Sequence, residues 1–168
     1  MVIYIADIRE GISRHQYSIE PASLDLEECH QIPVPIDLQL VLTRSGEQIF
    51  VQGTVSFTAR LVCARCLRPF DQQLSETLRV LVKRKSLAGA GTLSQEEEDD
   101  PNMIYHDGEE FNLTTPVRDL VLLTLPLKPL CREDCKGLCP HCGADLNREE
   151  CTCQEHEIDP RWAVLKNL

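Results

Sequence analysis

Six cysteines lie within 23 residues in the C-terminal part of this 168-residue chain. The segment reads CREDCKGLCPHCGADLNREECTC, and Cys139-Pro-His-Cys142-Gly within it has the spacing of a zinc knuckle. In such a turn two thiolates converge on one ion and a glycine closes the loop. Cys151-Thr-Cys153 returns two more sulfurs, which completes a tetrahedral set of four. The segment therefore predicts a zinc site.

A second CxxC pair, Cys63 and Cys66, lies far upstream. Together with Cys131 and Cys135 it would supply a second four-thiolate site, once Cys29 is set aside as a small apolar side chain. In the alternative interpretation, four of the six C-terminal cysteines bind a single ion and the upstream pair merely lies nearby. We therefore expect one or two zinc ions.

The sulfur-rich ligand sets predict closed coordination and a structural role, because catalytic zinc keeps an open position. His141 and His156 are interpreted as exposed residues rather than ligands. The competing chemistry is thiol redox, which requires a CxxC at a helix N-terminus in a βαβ context. No nucleophile–base motif, phosphate-binding glycine loop or HExxH sequence occurs in the chain. We expect no enzymatic activity.

The N-terminal residues MVIYIADIREG lack the basic region of a signal peptide, and no apolar run approaches the roughly 18–20 residues of a membrane span. These features predict a cytoplasmic protein with no membrane partner. In a reducing compartment, cysteines serve as metal ligands more often than as disulfides.

Charge is distributed unevenly along this chain of net charge −10. Eight acids and no Lys or Arg lie between Glu96 and Glu110, whereas seven bases and two acids lie between Arg60 and Lys85. The basic stretch predicts contacts with RNA phosphates. Its candidates are Arg60, Arg65, Arg68, Lys83, Arg84 and Lys85. Scarce aromatic residues argue against a single-strand nucleic-acid binder that relies on stacking platforms.

Hydrophobic residues alternate with polar ones over three long stretches, residues 34–42, 49–61 and 70–82. This period of two predicts antiparallel strands with one buried face, the second and third joined by the upstream CxxC turn. Weaker strands are expected at residues 2–8 and 15–20, and a short one at 110–113.

A helix is predicted from Pro116 to the residue before Pro126, capped by Thr114 or Thr115 and mostly buried. Leu122 and Leu123 would widen its apolar face. The predicted fold class is α+β: an antiparallel sheet or partly open barrel, one packed helix and a zinc-binding segment. A β-rich core would span residues 1–130, with an acidic surface insertion at 86–102, and the zinc-binding segment and tail residues 131–168.

Four passages, CARCLRPF, DLVLLTLPLKPLC, CKGLCPHCGADLN with its terminal CxC, and DPRWAVLKNL, resemble the YceD family. These bacterial proteins, with plastid relatives, are described as large ribosomal RNA subunit accumulation proteins. The resemblance runs in motif order over residues 30–168. Some family members lack much of the C-terminal cysteine cluster and others lack the cysteine matching Cys66, which favours a stabilising role for the metal.

The resemblance implies a non-catalytic factor in large ribosomal subunit biogenesis, which supports processing, stability or accumulation of the large-subunit ribosomal RNA. That RNA or its precursor is the expected partner. The alternative is an adaptor that binds basic ribosomal or assembly proteins through the acidic insertion. A thiol-redox protein is the least favoured hypothesis.

Overall fold

A computed structural model describes residues 1–27, 29–84, 100 and 102–153 of the chain. The chain divides into two compact units. The first comprises residues 1–61 and 69–127, and the second comprises Val62–Arg68 and, of the described residues, 128–153. Most of the predicted insertion at 86–102, Lys85, His156 and the tail lie outside the described residues.

Seven strands and one α-helix occur among the described residues. They are, in chain order, β1 (Val2–Tyr4), β2 (Gly11–Ile19), β3 (Ile36–Ser45), β4 (Gln48–Val62), β5 (Pro69–Arg84), β6 (Met103–His106), β7 (Glu110–Asn112) and α1 (Thr114–Thr124). Strands β2-β3-β4-β5-β6 form one sheet in that order, and β1 pairs with β7 in a second, two-stranded sheet. The predicted α+β class with one helix is confirmed.

The three long predicted strands are β3, β4 and β5, and their alternation gives the expected buried face. In β3 and β4 every second side chain is buried, and Leu38 pairs with Val55 across the antiparallel ladder. Ser56 forms a side-chain hydrogen bond with Ser75, and Arg60 forms one with Asp71. Residue numbers therefore increase along β4 as the numbers of the facing β5 residues decrease. These pairs make β4 and β5 an antiparallel hairpin whose open face carries the polar residues.

The antiparallel expectation is wrong at β6, which pairs with β5 in parallel through Leu81 with Met103 and Val82 with Ile104. A parallel neighbour needs a crossover of a dozen residues or more, and residues 85–102 provide that length. The described strands also form an open sheet with β2 and β6 at its edges, rather than a barrel. Strand β6 was not predicted, because four residues are too few to display a period.

Helix α1 begins at Thr114, two residues before the predicted start. Pro116 is its third residue, where a missing backbone N–H leaves no helical bond unmade. Val117 and Val121 enter the core. The expectation that Leu122 and Leu123 widen the buried face of the helix is wrong: Leu122 is 42% exposed and Leu123 is 84% exposed. Only one stripe of this short helix faces the sheet.

Gly53 lies on the buried face of β4, directly opposite Leu40. A Cβ atom there would lie 2.5 Å from Leu40 Cδ2 and 2.6 Å from the backbone oxygen of Gln39. The backbone contact leaves little room for adjustment, so the two strands require glycine at this position.

We expect Gly53→Ala to lower the free energy of unfolding by roughly 1–3 kcal/mol, since the added methyl group overpacks the core. Urea unfolding followed by circular dichroism measures the change. Thr54→Ala, at the exposed neighbouring position, is the matched control and should change stability by less than about 0.5 kcal/mol. Equal effects of the two substitutions would contradict this packing constraint.

His106 is a buried titratable side chain at the end of β6, 7% exposed. Neither of its ring nitrogens has a hydrogen-bond partner among the described residues. Burial lowers the pKa of His106 below the usual 6.5, and the nearby charges of Arg84 and Arg44 lower it further. Asp107 and Glu47 oppose that shift. The folded protein therefore takes up a proton at this ring less readily than the unfolded chain does.

Because His106 has a lower pKa in the folded protein, the unfolded chain binds a proton at this ring more readily as pH falls through 6.5. We therefore expect the free energy of unfolding to decrease below that pH. Above that pH the ring is neutral in both states and contributes nothing. His106→Gln should flatten the dependence of unfolding free energy on pH between about 7 and 5. The exposed His30→Gln is the control. If both variants kept the wild-type slope, His106 would not be its source.

Candidate metal centres

The first CxxC pair lies in the turn that follows β4. The N–H of Leu67 donates to the Cys63 carbonyl at 2.9 Å, and the N–H of Cys63 donates to the Arg68 carbonyl at 2.9 Å. These bonds hold Leu67 at a φ of 58°, a left-handed conformation that a leucine seldom adopts. The turn thereby directs the Cys63 and Cys66 sulfurs toward the same partners.

Backbone hydrogen bonds join this turn to the segment after α1 within the same unit. The N–H of Ala64 donates to the Pro129 carbonyl at 2.8 Å, and that of Leu138 donates to the Arg65 carbonyl at 3.2 Å. Gly137 passes over the turn at a φ of 79°, and a Cβ there would lie 3.1 Å from the Arg65 oxygen. The close approach brings Cys131 and Cys135 to the upstream pair.

The first group consists of Cys63, Cys66, Cys131 and Cys135, whose sulfurs all lie within 4.8 Å of one another. The Cys63 and Cys135 sulfurs are 3.8 Å apart, and those of Cys66 and Cys131 are 3.7 Å apart. Zinc–sulfur bonds of about 2.3 Å in a tetrahedron place sulfurs roughly 3.8 Å apart, whereas a disulfide requires about 2.05 Å. The spacing is that of metal ligands.

The surroundings of this group favour ionisation of the Cys63 thiol and oppose ionisation of the Cys131 thiol. Backbone N–H groups of Cys131 and Cys66 lower the pKa of the Cys63 thiol to about 6. Burial and the neighbouring sulfur of Cys66 raise the pKa of Cys131 to about 12. Four crowded thiols therefore do not ionise together, unless a cation offsets their mutual repulsion. A divalent ion is the group that would make all four into ligands.

The second group consists of Cys139, Cys142, Cys151 and Cys153, again within 4.8 Å. The Cys142 and Cys151 sulfurs are 3.6 Å apart, and those of Cys151 and Cys139 are 3.3 Å apart. The N–H of Gly143 donates to the Cys139 carbonyl at 3.0 Å and closes the predicted knuckle, with the glycine at a φ of 75°. These sulfurs also have the spacing of metal ligands.

Amide groups point at the sulfurs of the second group, as they do in metal-bound knuckles. The N–H of His141 lies 3.5 Å from the Cys139 sulfur, and that of Cys153 lies 3.3 Å from the Cys151 sulfur. The N–H groups of Cys142 and His141 lower the pKa of Cys139 to about 6. The neighbouring Cys151 raises the pKa of Cys153 to about 12. This group too would need a cation to ionise fully.

Asn147 contacts the first group and was not singled out in the sequence. Its Nδ2 lies 3.5 Å from the Cys135 sulfur and donates to Asp145 Oδ1 at 2.7 Å. Its Oδ1 accepts from the Lys136 N–H at 2.8 Å and from Arg132 Nη2 at 2.7 Å. The available signal was its place in CGADLN, within the cysteine segment itself.

Cysteine supplies all the buried side chains of the described part of this unit. They are Cys63, Cys66, Cys135 and Cys139. Units below about 70 residues gain little stability from a single hydrophobic core and commonly add a metal or disulfides. In the described part of the unit the two sulfur groups therefore take the place of a hydrophobic core, and either group could hold a metal ion. Cys29 lies apart from them and packs against the hydrophobic core of the first unit.

The predicted RNA contacts are mostly engaged within the chain. Arg60 pairs with Asp71 at 3.0 Å, Arg68 lies 3.4 Å from Asp145 Oδ2, and Arg84 lies 3.4 Å from Glu47. Carboxylate partners reduce the charge that these three side chains would offer to a phosphate.

Two other candidates differ in their surroundings. Arg65 donates through Nη1 to the carbonyls of Glu133 at 3.2 Å and Cys135 at 2.8 Å, so it also ties the turn to the cysteine segment. Lys83 is half-buried and forms no ion pair with a described residue. Of the five described candidates, Arg60, Lys83 and Arg84 belong to the first unit, whereas Arg65 and Arg68 belong to the second.

Within the described ranges, no helix is long and apolar enough to cross a membrane. No solved structure matches the chain. An uncharacterized protein of Mycobacterium tuberculosis is 38% identical over 133 residues, which cover 79% of this chain and 61% of the relative. This chain thus spans less than two thirds of the length of that relative.

Two chloroplast relatives carry a functional name. A maize protein is 26% identical over 74% of this chain and 50% of its own length, and an Arabidopsis protein is 24% identical over 80% and 48%. Each is named large ribosomal RNA subunit accumulation protein YCED homolog 1, chloroplastic. A family model described as large ribosomal RNA subunit accumulation protein YceD matches residues 51–168. The chain belongs to the YceD family.

Proposed function

We propose that this protein is a non-catalytic factor in large ribosomal subunit biogenesis that supports the accumulation of large-subunit ribosomal RNA. Family membership over residues 51–168 is the observation that carries the proposal. The names of the plant relatives support it. The cytoplasm is the proposed compartment, since a reducing environment keeps thiols available as ligands.

Zinc is the proposed metal, with two ions per chain bound in structural sites. Four sulfurs fill a tetrahedral shell and leave no position for a substrate or a reactive water. This closed coordination supports a non-catalytic role. Because the buried side chains in the described part of this unit are cysteines, its fold would depend on the metal, as that of small zinc domains does.

We expect elemental analysis of the purified chain to find two zinc ions. Cys63→Ser/Cys66→Ser and Cys142→Ser/Cys153→Ser should each retain one ion, because the two sulfur groups share no ligand. Cys29→Ser, the matched control outside both groups, should retain two. One ion in the wild type would favour a single site. A metal-free chain with reactive thiols would instead support the redox hypothesis.

The ribosomal role predicts that depletion of the protein in its source organism lowers large-subunit RNA relative to small-subunit RNA. Quantification of total RNA measures the ratio, and expression of the wild-type chain should restore it. An unchanged ratio would overturn the proposed function.

The adaptor alternative rests on the acidic run that begins at Glu96. Glu96→Gln/Glu97→Gln/Glu98→Gln removes charge and keeps side-chain size, so it separates the two roles. We expect this variant to restore the RNA ratio and to retain its RNA in pull-downs. Failure to restore the ratio, with loss of basic ribosomal proteins from the pull-down, would favour the adaptor.

A further inference from the structure

The face of the five-stranded sheet that points away from the core has a charge opposite to that of the whole chain. We call it the open face. Its charged side chains are four cations, Arg14, Arg60, Arg79 and Lys83, and two carboxylates, Asp37 and Asp71. The chain as a whole has a net charge of −10. A local excess of positive charge on an acidic protein marks a surface for anions.

The cations concentrate at one end of the open face. Arg60 and Asp71 neutralise each other at the other end, where Asp37 also lies on the open face. Arg14, Arg79 and Lys83 have no carboxylate within ion-pairing distance in the described part of the chain. Among the described residues, these three cations are thus not neutralised by an ion pair, unlike Arg60.

An exposed aromatic side chain, Phe50, stands among these cations and is 43% exposed. The register that joins Ser56 to Ser75 and Arg60 to Asp71 places Phe50 opposite Leu81. Arg79 and Lys83 then occupy the two diagonal positions, roughly 7–8 Å from it across the strands. A ring with positive charge on two sides can stack on a base while the cations hold the flanking phosphates.

A depression of about 320 Å³ adjoins the ring, lined by Phe50, Arg79, Leu81, Met103 and Asn102, with Val80 and Asp100 completing it. Its floor is apolar, and its rim carries an amide, a carboxylate and a guanidinium. Asp100 Oδ1 already accepts from the Asn102 N–H at 2.8 Å, which holds both residues in place. Amide and carboxylate groups are the side chains that hydrogen-bond the edges of unstacked bases.

We propose that this end of the open face binds single-stranded RNA, with one base stacked on Phe50 and phosphates held by Arg14, Arg79 and Lys83. The proposal rests on the proposed ribosomal function and names the surface and the form of RNA involved. Duplex RNA does not fit, because its bases are stacked inside the helix and cannot reach a ring on a sheet. The low aromatic content of the chain argues against a binder built on stacking platforms, so the proposed surface uses a single ring and gains most of its affinity from the cations.

Fluorescence anisotropy of a labelled oligoadenylate about 12 nucleotides long tests the stacking contact. We expect Phe50→Ala and Phe50→Leu to weaken binding about 5- to 150-fold, whereas Phe50→Tyr keeps it, since only an aromatic ring stacks. Leu123→Ala, an exposed apolar side chain on α1, is the control and should bind as the wild type does. Wild-type binding by Phe50→Leu, or a preference for a duplex of the same length, would overturn the proposal.

The salt dependence tests the phosphate contacts. Each contact to a single strand contributes about 0.7 to the slope of log affinity against log salt concentration. Arg14→Gln/Arg79→Gln should make the salt dependence weaker, with a slope smaller in magnitude by about 1.4. The exposed pair Arg9→Gln/Lys128→Gln should leave the slope unchanged. Equal slopes for the two double variants would overturn the assignment of these cations.

Failure of the surface and failure of the function have different signatures. If Phe50→Ala still restores the RNA ratio in depleted cells and still binds the oligonucleotide, the surface is wrong and the ribosomal role stands. If depletion of the protein leaves the ratio unchanged, the function itself is wrong. Parallel loss of oligonucleotide binding and of restoration by Phe50→Ala, with thermal unfolding as in the wild type, is the expected result.

Discussion

Strands β4 and β5 form a long hairpin in which every second side chain turns toward the hydrophobic core. This period of two determines what each face of the sheet can contain. One face carries Val51, Val55 and Leu61 into the core. The other is left polar and becomes the open face with its cations and Phe50. A slip of one residue would exchange the faces, so the core packing also fixes the surface that we propose for RNA.

The turn of the same hairpin supplies Cys63 and Cys66 to a unit that is organised differently. In the part of that unit that the structure describes, the buried side chains are cysteines, Arg65 donates to the Cys135 carbonyl, and Asn147 donates to the Cys135 sulfur. Hydrophobic burial stabilises the first unit, whereas the described part of the second unit buries no large aliphatic or aromatic side chain. A bound cation would turn the repulsion among four thiolates into attraction to the ion, and it would account for the many cysteines in so short a segment.

Much of the fold could be predicted because its signals are local. Alternation identified β3, β4 and β5, and the apolar spacing around Val117 and Val121 identified the helix. Strand β6 could not be predicted, because its four residues acquire a strand conformation only by pairing with β5. The exposure of Leu123 was missed for a similar reason, since a sequence does not say how wide a stripe of the helix its neighbours cover.

The sequence by itself determined the family, the α+β class and the eight cysteines to be considered as ligands, because motif spacing and side-chain period are properties of short segments. Only the tertiary structure decided how those sulfurs divide into two groups of four. It also decided which cations form ion pairs: Arg60, Arg68 and Arg84 face carboxylates, whereas Arg14 and Arg79 have none within ion-pairing distance among the described residues. Both outcomes depend on contacts between residues far apart in the chain, and pairing distances between such residues exist only once the strands are in register.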